Sequence, residues 1–103
     1  PKAEPVYYKT KIAESIDDLC MDKAGRLWMT DPGKSTVKMF DPRTRRLMRY
    51  RLEGIGQTSS CRIREENGEE ILYLTELKQS QKVSLQVFDG RGLIAVPIKS
   101  LER

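Results

Sequence analysis

A pattern that occurs twice constrains this chain more than any single motif. "DDLCMD" is followed by "GRLWMTD" and then by "TVKMFDPRTRRLMRYRL"; later, "TSSCRI" is followed by "EILYLTE" and then by "KVSLQVFDGRGLIAVPI". Cys20 matches Cys61, Trp28 matches Tyr73, and Phe40–Asp41 matches Phe88–Asp89, at separations of 41, 45 and 48 residues. The later offsets grow because the second unit has longer loops. Short apolar runs fill each unit, with candidate strands at Val6–Ile12, Asp18–Asp22, Arg26–Thr30, Thr36–Phe40, Leu47–Leu52, Ser59–Arg64, Ile71–Thr75, Val83–Phe88 and Leu93–Lys99. Between them stand "DKAG", "DPGK", "DPRT", "ENGE" and "DGRG", in which Asp, Asn, Pro and Gly provide turn dihedrals. Ala13–Ile16 reads as a helical turn, but no sustained 3.6-residue period follows it. The expected class is all-β and antiparallel. A period of 40–50 residues with four strands per unit is the spacing of a β-propeller blade. The predicted organisation is a tail strand of a preceding blade over residues 1–12, one four-stranded blade over 13–53 and a second over 54–103.

Composition narrows the chemistry. With 38% hydrophobic and 33% charged residues, the chain reads as one globular domain rather than a disordered one. No apolar run approaches the roughly 20 residues of a membrane helix, and residues 1–15 lack a signal-peptide apolar segment, so the expected setting is cytoplasmic. Two cysteines are too few for a disulfide scaffold. The absence of histidine removes the usual general base near neutral pH and excludes histidine-dependent triads built from this chain alone. Carboxylates, amides, hydroxyls and lysines remain, a donor set that favours a hard cation such as Ca²⁺ or Mg²⁺.

The net charge of +4 is densest in "DPRTRRLMRYR". Read with period 2, Met48, Tyr50 and Leu52 fall on one face of a strand and Arg49 and Arg51 on the other. A solvated outer strand explains that pattern better than a nucleic-acid surface. Trp28 and Tyr73 stand mid-strand among apolar neighbours, where packing between blades is expected, and Phe40 and Phe88 read alike. Asp22, Asp41 and Asp89 each open a turn, so backbone bonding is their expected role. Cys20 and Cys61 read as small buried thiols on equivalent inner strands.

In their order and spacing, "DDLCMD", "GRLWMTD", "FDPRT", "TSSCRI" and "ILYLTE" resemble the C-terminal part of the senescence marker protein/gluconolactonase/luciferin-regenerating family. The resemblance runs from about Ile16 to Thr75 and continues loosely through the last hairpin. It implies a six-bladed propeller with a divalent metal at the top of its central channel, Ca²⁺, Mg²⁺, Mn²⁺ or Zn²⁺, and lactone hydrolysis or a related activity such as biosynthetic cyclisation. It places Asp17 at the family's metal-binding aspartate and proposed general base. It also sets Thr58, Ser59 and Ser60 at the start of the next inner strand, where they are expected to line a substrate pocket. Three positions depart from the family pattern: Ile16 replaces a proline, Asp18 a glycine, and Arg45 stands where a glycine often closes Asp-Pro-x-Thr-Gly.

Two blades leave apolar faces and sheet edges unburied. The sequence therefore implies completion by an N-terminal propeller chain of the same protein or by further copies of itself, unless the chain is an excised fragment. The expected activity is that of a metal-dependent, lactonase-like hydrolase or relative acting on a small molecule once the propeller is complete. The alternative is a non-catalytic propeller module that binds a protein or glycan partner, for example as a two-blade homotrimer.

Overall fold

The computed structural model describes residues 3–6, 16–31, 34–82 and 85–102, apart from the side chains of 77–82 and 85–91. The strand expected over Val6–Ile12 and the helical turn at Ala13–Ile16 lie almost wholly outside them. The described chain is all-β apart from one helical turn, and among its residues no helix is long and apolar enough to cross a membrane.

Strands β1 (Leu19–Met21), β2 (Leu27–Thr30), β3 (Thr36–Asp41) and β4 (Arg46–Arg51) form a four-stranded antiparallel sheet in sequential order. Two of its connections follow from their residues. In "DKAG", the Gly25 amide donates to the Asp22 carbonyl oxygen, and Gly25 takes φ +83°, the left-handed geometry that closes a short hairpin. In "DPRT", the Asp41 carboxylate accepts the Arg43 amide, and the Arg45 amide closes onto the Asp41 carbonyl oxygen at 2.7 Å. Arg45 adopts φ +59°, the backbone conformation for which glycine is suited. Strand β4 is an edge strand: Met48 and Tyr50 pack against the core while Arg49 and Arg51 are exposed, as its period-2 pattern implies.

Strands β5 (Gln57–Glu66), β6 (Glu69–Lys82) and β7 (Leu85–Pro97) make a second antiparallel sheet, followed by the short helix α1 (Ile98–Leu101). Asn67-Gly68 joins β5 to β6, both residues with positive φ, as an Asn-Gly hairpin turn requires. This sheet has three strands where four were expected. "DGRG" does not turn, because β6 continues as far as Lys82 and supplies a pairing partner throughout. Lys78 pairs with Gly90 and Gln79 with Phe88, leaving Asp89 as the extra residue of a β-bulge. The described part of the first of the two expected strands, from Leu85, and the second, as far as Pro97, thus merge into one strand, which gives way to α1 at Ile98.

The sheets pack face to face. Trp28, Val37 and Met39 of the first meet Cys61, Leu72 and Leu74 of the second, with Ile98 closing the cluster. Trp28 is fully buried, its ring stacked on Tyr50 with centroids 5.7 Å apart, and its indole N–H donates to the buried Asp22 carboxylate at 2.9 Å. Asp22 also accepts the Arg26 amide and guanidinium, so this turn aspartate anchors a core tryptophan as well. In the observed register Cys20 lies opposite Trp28 and Cys61 opposite Leu74, so Leu74, not Tyr73, fills the core position corresponding to Trp28. Tyr73 lies opposite Arg62 and donates its phenol proton to Glu66.

Strand β5 lies against β1, β2 and β3. Asp17, just before β1, contacts Ser59 near the start of β5. Lys23, just after β1, pairs with Glu65 near the end of β5. The first strands of the two sheets therefore run side by side in the same direction.

Candidate functional site

The start of β1, the end of β2 and the start of β5 converge on a group of short polar side chains. Thr30 is the hub. Its buried hydroxyl donates to the Ser59 carbonyl oxygen at 2.7 Å and accepts the Asp18 amide at 2.9 Å. Its own amide donates to the Asp18 carbonyl oxygen, and its carbonyl oxygen accepts the Asp17 amide. These bonds extend the β1–β2 pairing back to Asp17 and couple it to the second sheet.

Asp17 and Asp18 diverge from there. Asp18 directs one carboxylate oxygen to the Leu19 amide and the other to the Cys61 amide, each at 2.9 Å. The Cys61 amide, with smaller help from the Leu19 amide and Arg62, holds the Asp18 carboxyl below the usual carboxylate range despite partial burial. Asp18 is a bracket between sheets, and both of its oxygens are engaged by backbone. Asp17 is exposed, and its carboxylate accepts the Ser59 hydroxyl at 3.1 Å.

A bulge in β5 explains how Ser59 reaches it. Thr58 pairs with Glu76 and Cys61 with Leu74, so Ser59 and Ser60 together oppose Thr75. The Thr75 hydroxyl accepts the Ser60 amide at 2.9 Å and stabilises the irregularity. Bulges of this kind re-aim side chains near strand ends. Of the three residues expected to line a pocket, Ser59 is brought to Asp17, whereas Ser60 is exposed without a hydrogen bond to Asp17 among the described residues. Thr58 is buried in a separate network: its hydroxyl donates to the Thr36 carbonyl oxygen at 3.0 Å and accepts the Asp31 amide at 3.4 Å.

Behind Thr58 lies a buried ion pair that the sequence did not announce. Lys38 Nζ sits 3.3 Å from Asp31 Oδ2, which also accepts the Thr36 hydroxyl. Both charged side chains are nearly inaccessible to water, and mutual pairing permits burial of two such groups. Lys38 stands in "TVKMF" at an alternating position that ordinarily faces solvent, so only Asp31 in "MTD" hinted at a partner.

Ca²⁺ takes six to eight oxygen ligands. Among the described residues, no three His, Cys, Asp or Glu side chains gather closely enough to hold a metal ion. Because Asp18 is engaged by amides, Asp17 is, among the described residues at this corner, the carboxylate with an exposed side chain. No family model matches the chain, and neither the curated proteins nor the solved structures compared with it yield a match.

Proposed function

We propose that this chain forms consecutive blades of a propeller resembling the senescence marker protein/gluconolactonase/luciferin-regenerating family. In this reading the completed molecule hydrolyses a lactone at its central channel, with Asp17 as proton acceptor. The observation that carries the proposal is the placement of Asp17. Its exposed carboxylate lies at the head of two first strands that run side by side in one direction, and the Ser59 hydroxyl fixes one of its oxygens. Successive blades bring their inner strands together in this way around an axis.

The chemistry asked of Asp17 is general-base catalysis. The carboxylate receives the proton lost by water as that water attacks the lactone carbonyl carbon. It returns the proton to the ring oxygen when the carbon–oxygen bond breaks. Ser59, donating to one oxygen, leaves the other directed to water. Asp17 would be one ligand of a divalent cation serving this reaction, and such a cation would polarise the lactone carbonyl.

The test is hydrolysis of a lactone panel by the assembled protein, with Asp17→Asn and Ser59→Ala compared against the parent. Asp17→Asn is expected to lower kcat by roughly 10²–10⁴-fold, the range of a lost general base. Ser59→Ala should have a smaller effect. Unchanged turnover and unchanged divalent-cation affinity in Asp17→Asn would remove Asp17 from the mechanism.

A further inference from the structure

We propose that Cys20 and Cys61 are a peroxide-responsive thiol pair that closes into a reversible disulfide between the two sheets. The two residues stand on the adjacent first strands, and Cys20 packs against the core cluster to which Cys61 belongs. Both converge on Trp28: Cys20 is its pairing partner across β1 and β2, and Cys61 Sγ lies 3.7 Å from its carbonyl oxygen. Neither cysteine is engaged in a disulfide. The inference is independent of any lactone chemistry, since it requires only the juxtaposition of the two thiols.

Their surroundings divide the labour. Cys61 is 1% exposed and belongs to the hydrophobic core, whereas Cys20 is half-buried at the edge of that core. A small oxidant therefore reaches Cys20 first. Contact with the Cys61 side chain holds the Cys20 thiol below its ordinary range; burial and the charges of Asp18 and Asp22 oppose this, and Arg62 assists. The same contact and burial push the Cys61 thiol up, so it serves as the proton-bearing partner. A more accessible thiol beside a buried resolving thiol is the arrangement required for two-step oxidation.

In the first step the Cys20 thiolate attacks one oxygen of hydrogen peroxide. The oxygen–oxygen bond breaks, hydroxide leaves, and Cys20 becomes a sulfenic acid. In the second step the Cys61 sulfur, losing its proton, attacks the Cys20 sulfur and displaces hydroxide. The sulfur–sulfur bond forms, and the released proton and hydroxide make water. Overall, two thiols are oxidised to a disulfide while peroxide is reduced to two molecules of water. A dithiol reductant reverses the bond by exchange.

The experiment exposes the reduced, folded chain to hydrogen peroxide and follows intact mass, free-thiol count and proteolytic peptides, alongside Cys61→Ser. The parent chain should lose two hydrogens and both free thiols within one chain and yield a Cys20–Cys61 linked peptide. Dithiothreitol should restore both thiols. In Cys61→Ser, Cys20 should gain one oxygen that dimedone captures. The proposal is overturned if the parent keeps both thiols, if sulfenic acid accumulates at Cys20 while Cys61 stays free, or if links form only between chains. The parent measurements decide the matter even where Cys61→Ser fails to fold.

Discussion

Asp18 accepts one amide from its own strand and another from the opposite sheet, so its charge acts where the sheets meet. Its folded-state pKa lies below the ordinary 3.8. The stabilisation is therefore fully present above that value and is lost as pH falls through the lower, folded-state value. Asp18→Asn is expected to reduce stability by about 1 kcal/mol at neutral pH, below the range of about 1.5–3 kcal/mol for a hydrogen bond to a charged group, because water screens the partly exposed carboxylate. The variant should also show a shallower loss of stability in acid. Urea unfolding at neutral pH and below 3.8 measures both, and equal acid sensitivity of parent and variant would assign the acid response to other groups. The neighbouring roles of Asp17 and Asp18 were only half legible in the sequence. Adjacent aspartates before a strand announce a polar strand end, but which carboxylate the backbone engages depends on where the Cys61 amide lies, and that is set by tertiary packing. Lys38 was illegible for the same reason, since its alternating position does not reveal burial beside Asp31.

Strand β7 pairs with β6 along its whole length, and its register makes Gly92 the partner of Glu76. A β-carbon at Gly92 would lie 2.3 Å from Glu76 Oε1 and 2.8 Å from its Cγ. Glu76 is buried, and its other carboxylate oxygen accepts the Gly56 amide at 2.7 Å, which ties the β4–β5 connection to the second sheet. Gly92→Ala should force Glu76 to move and lower stability by about 1–3 kcal/mol, the scale of overpacking a closed site. Thermal or urea unfolding checks this, and a variant as stable as the parent would mean that Glu76 moves aside freely. Turn chemistry made most elements legible: "DKAG", "DPRT" and "ENGE" all close hairpins. "DGRG" misled because Asp and Gly serve a bulge as readily as a turn, and the choice rests on how far the facing strand extends. Tyr73 misled because a one-residue change of register exchanges the faces of a strand, giving the core position to Leu74.

At the scale of the whole chain, the two sheets bury one common core and join their first strands through the Asp17–Ser59, Asp18–Cys61 and Thr30–Ser59 bonds. The outer side of that junction is unlike a finished surface. Strand β1 forms one edge of its sheet and carries Leu19 at 50% and Met21 at 63% exposure, with exposed Ile16 immediately before it. Apolar side chains on an exposed edge strand suit contact with a further sheet, which would bury them and pair the open edge. The expectation of all-β, antiparallel architecture came directly from the repeated strand-and-turn pattern. Three-strand pairing in the second sheet did not, because a continuous β7 arises only once β6 offers it a partner. In the proposed reading these sheets are blades completed by further chain. Native mass spectrometry of the purified protein tests it most directly. The 11.9 kDa chain is expected in a larger assembly, either with several copies of itself or with a partner supplying the remaining blades. A folded species consisting of one 11.9 kDa chain alone would contradict it.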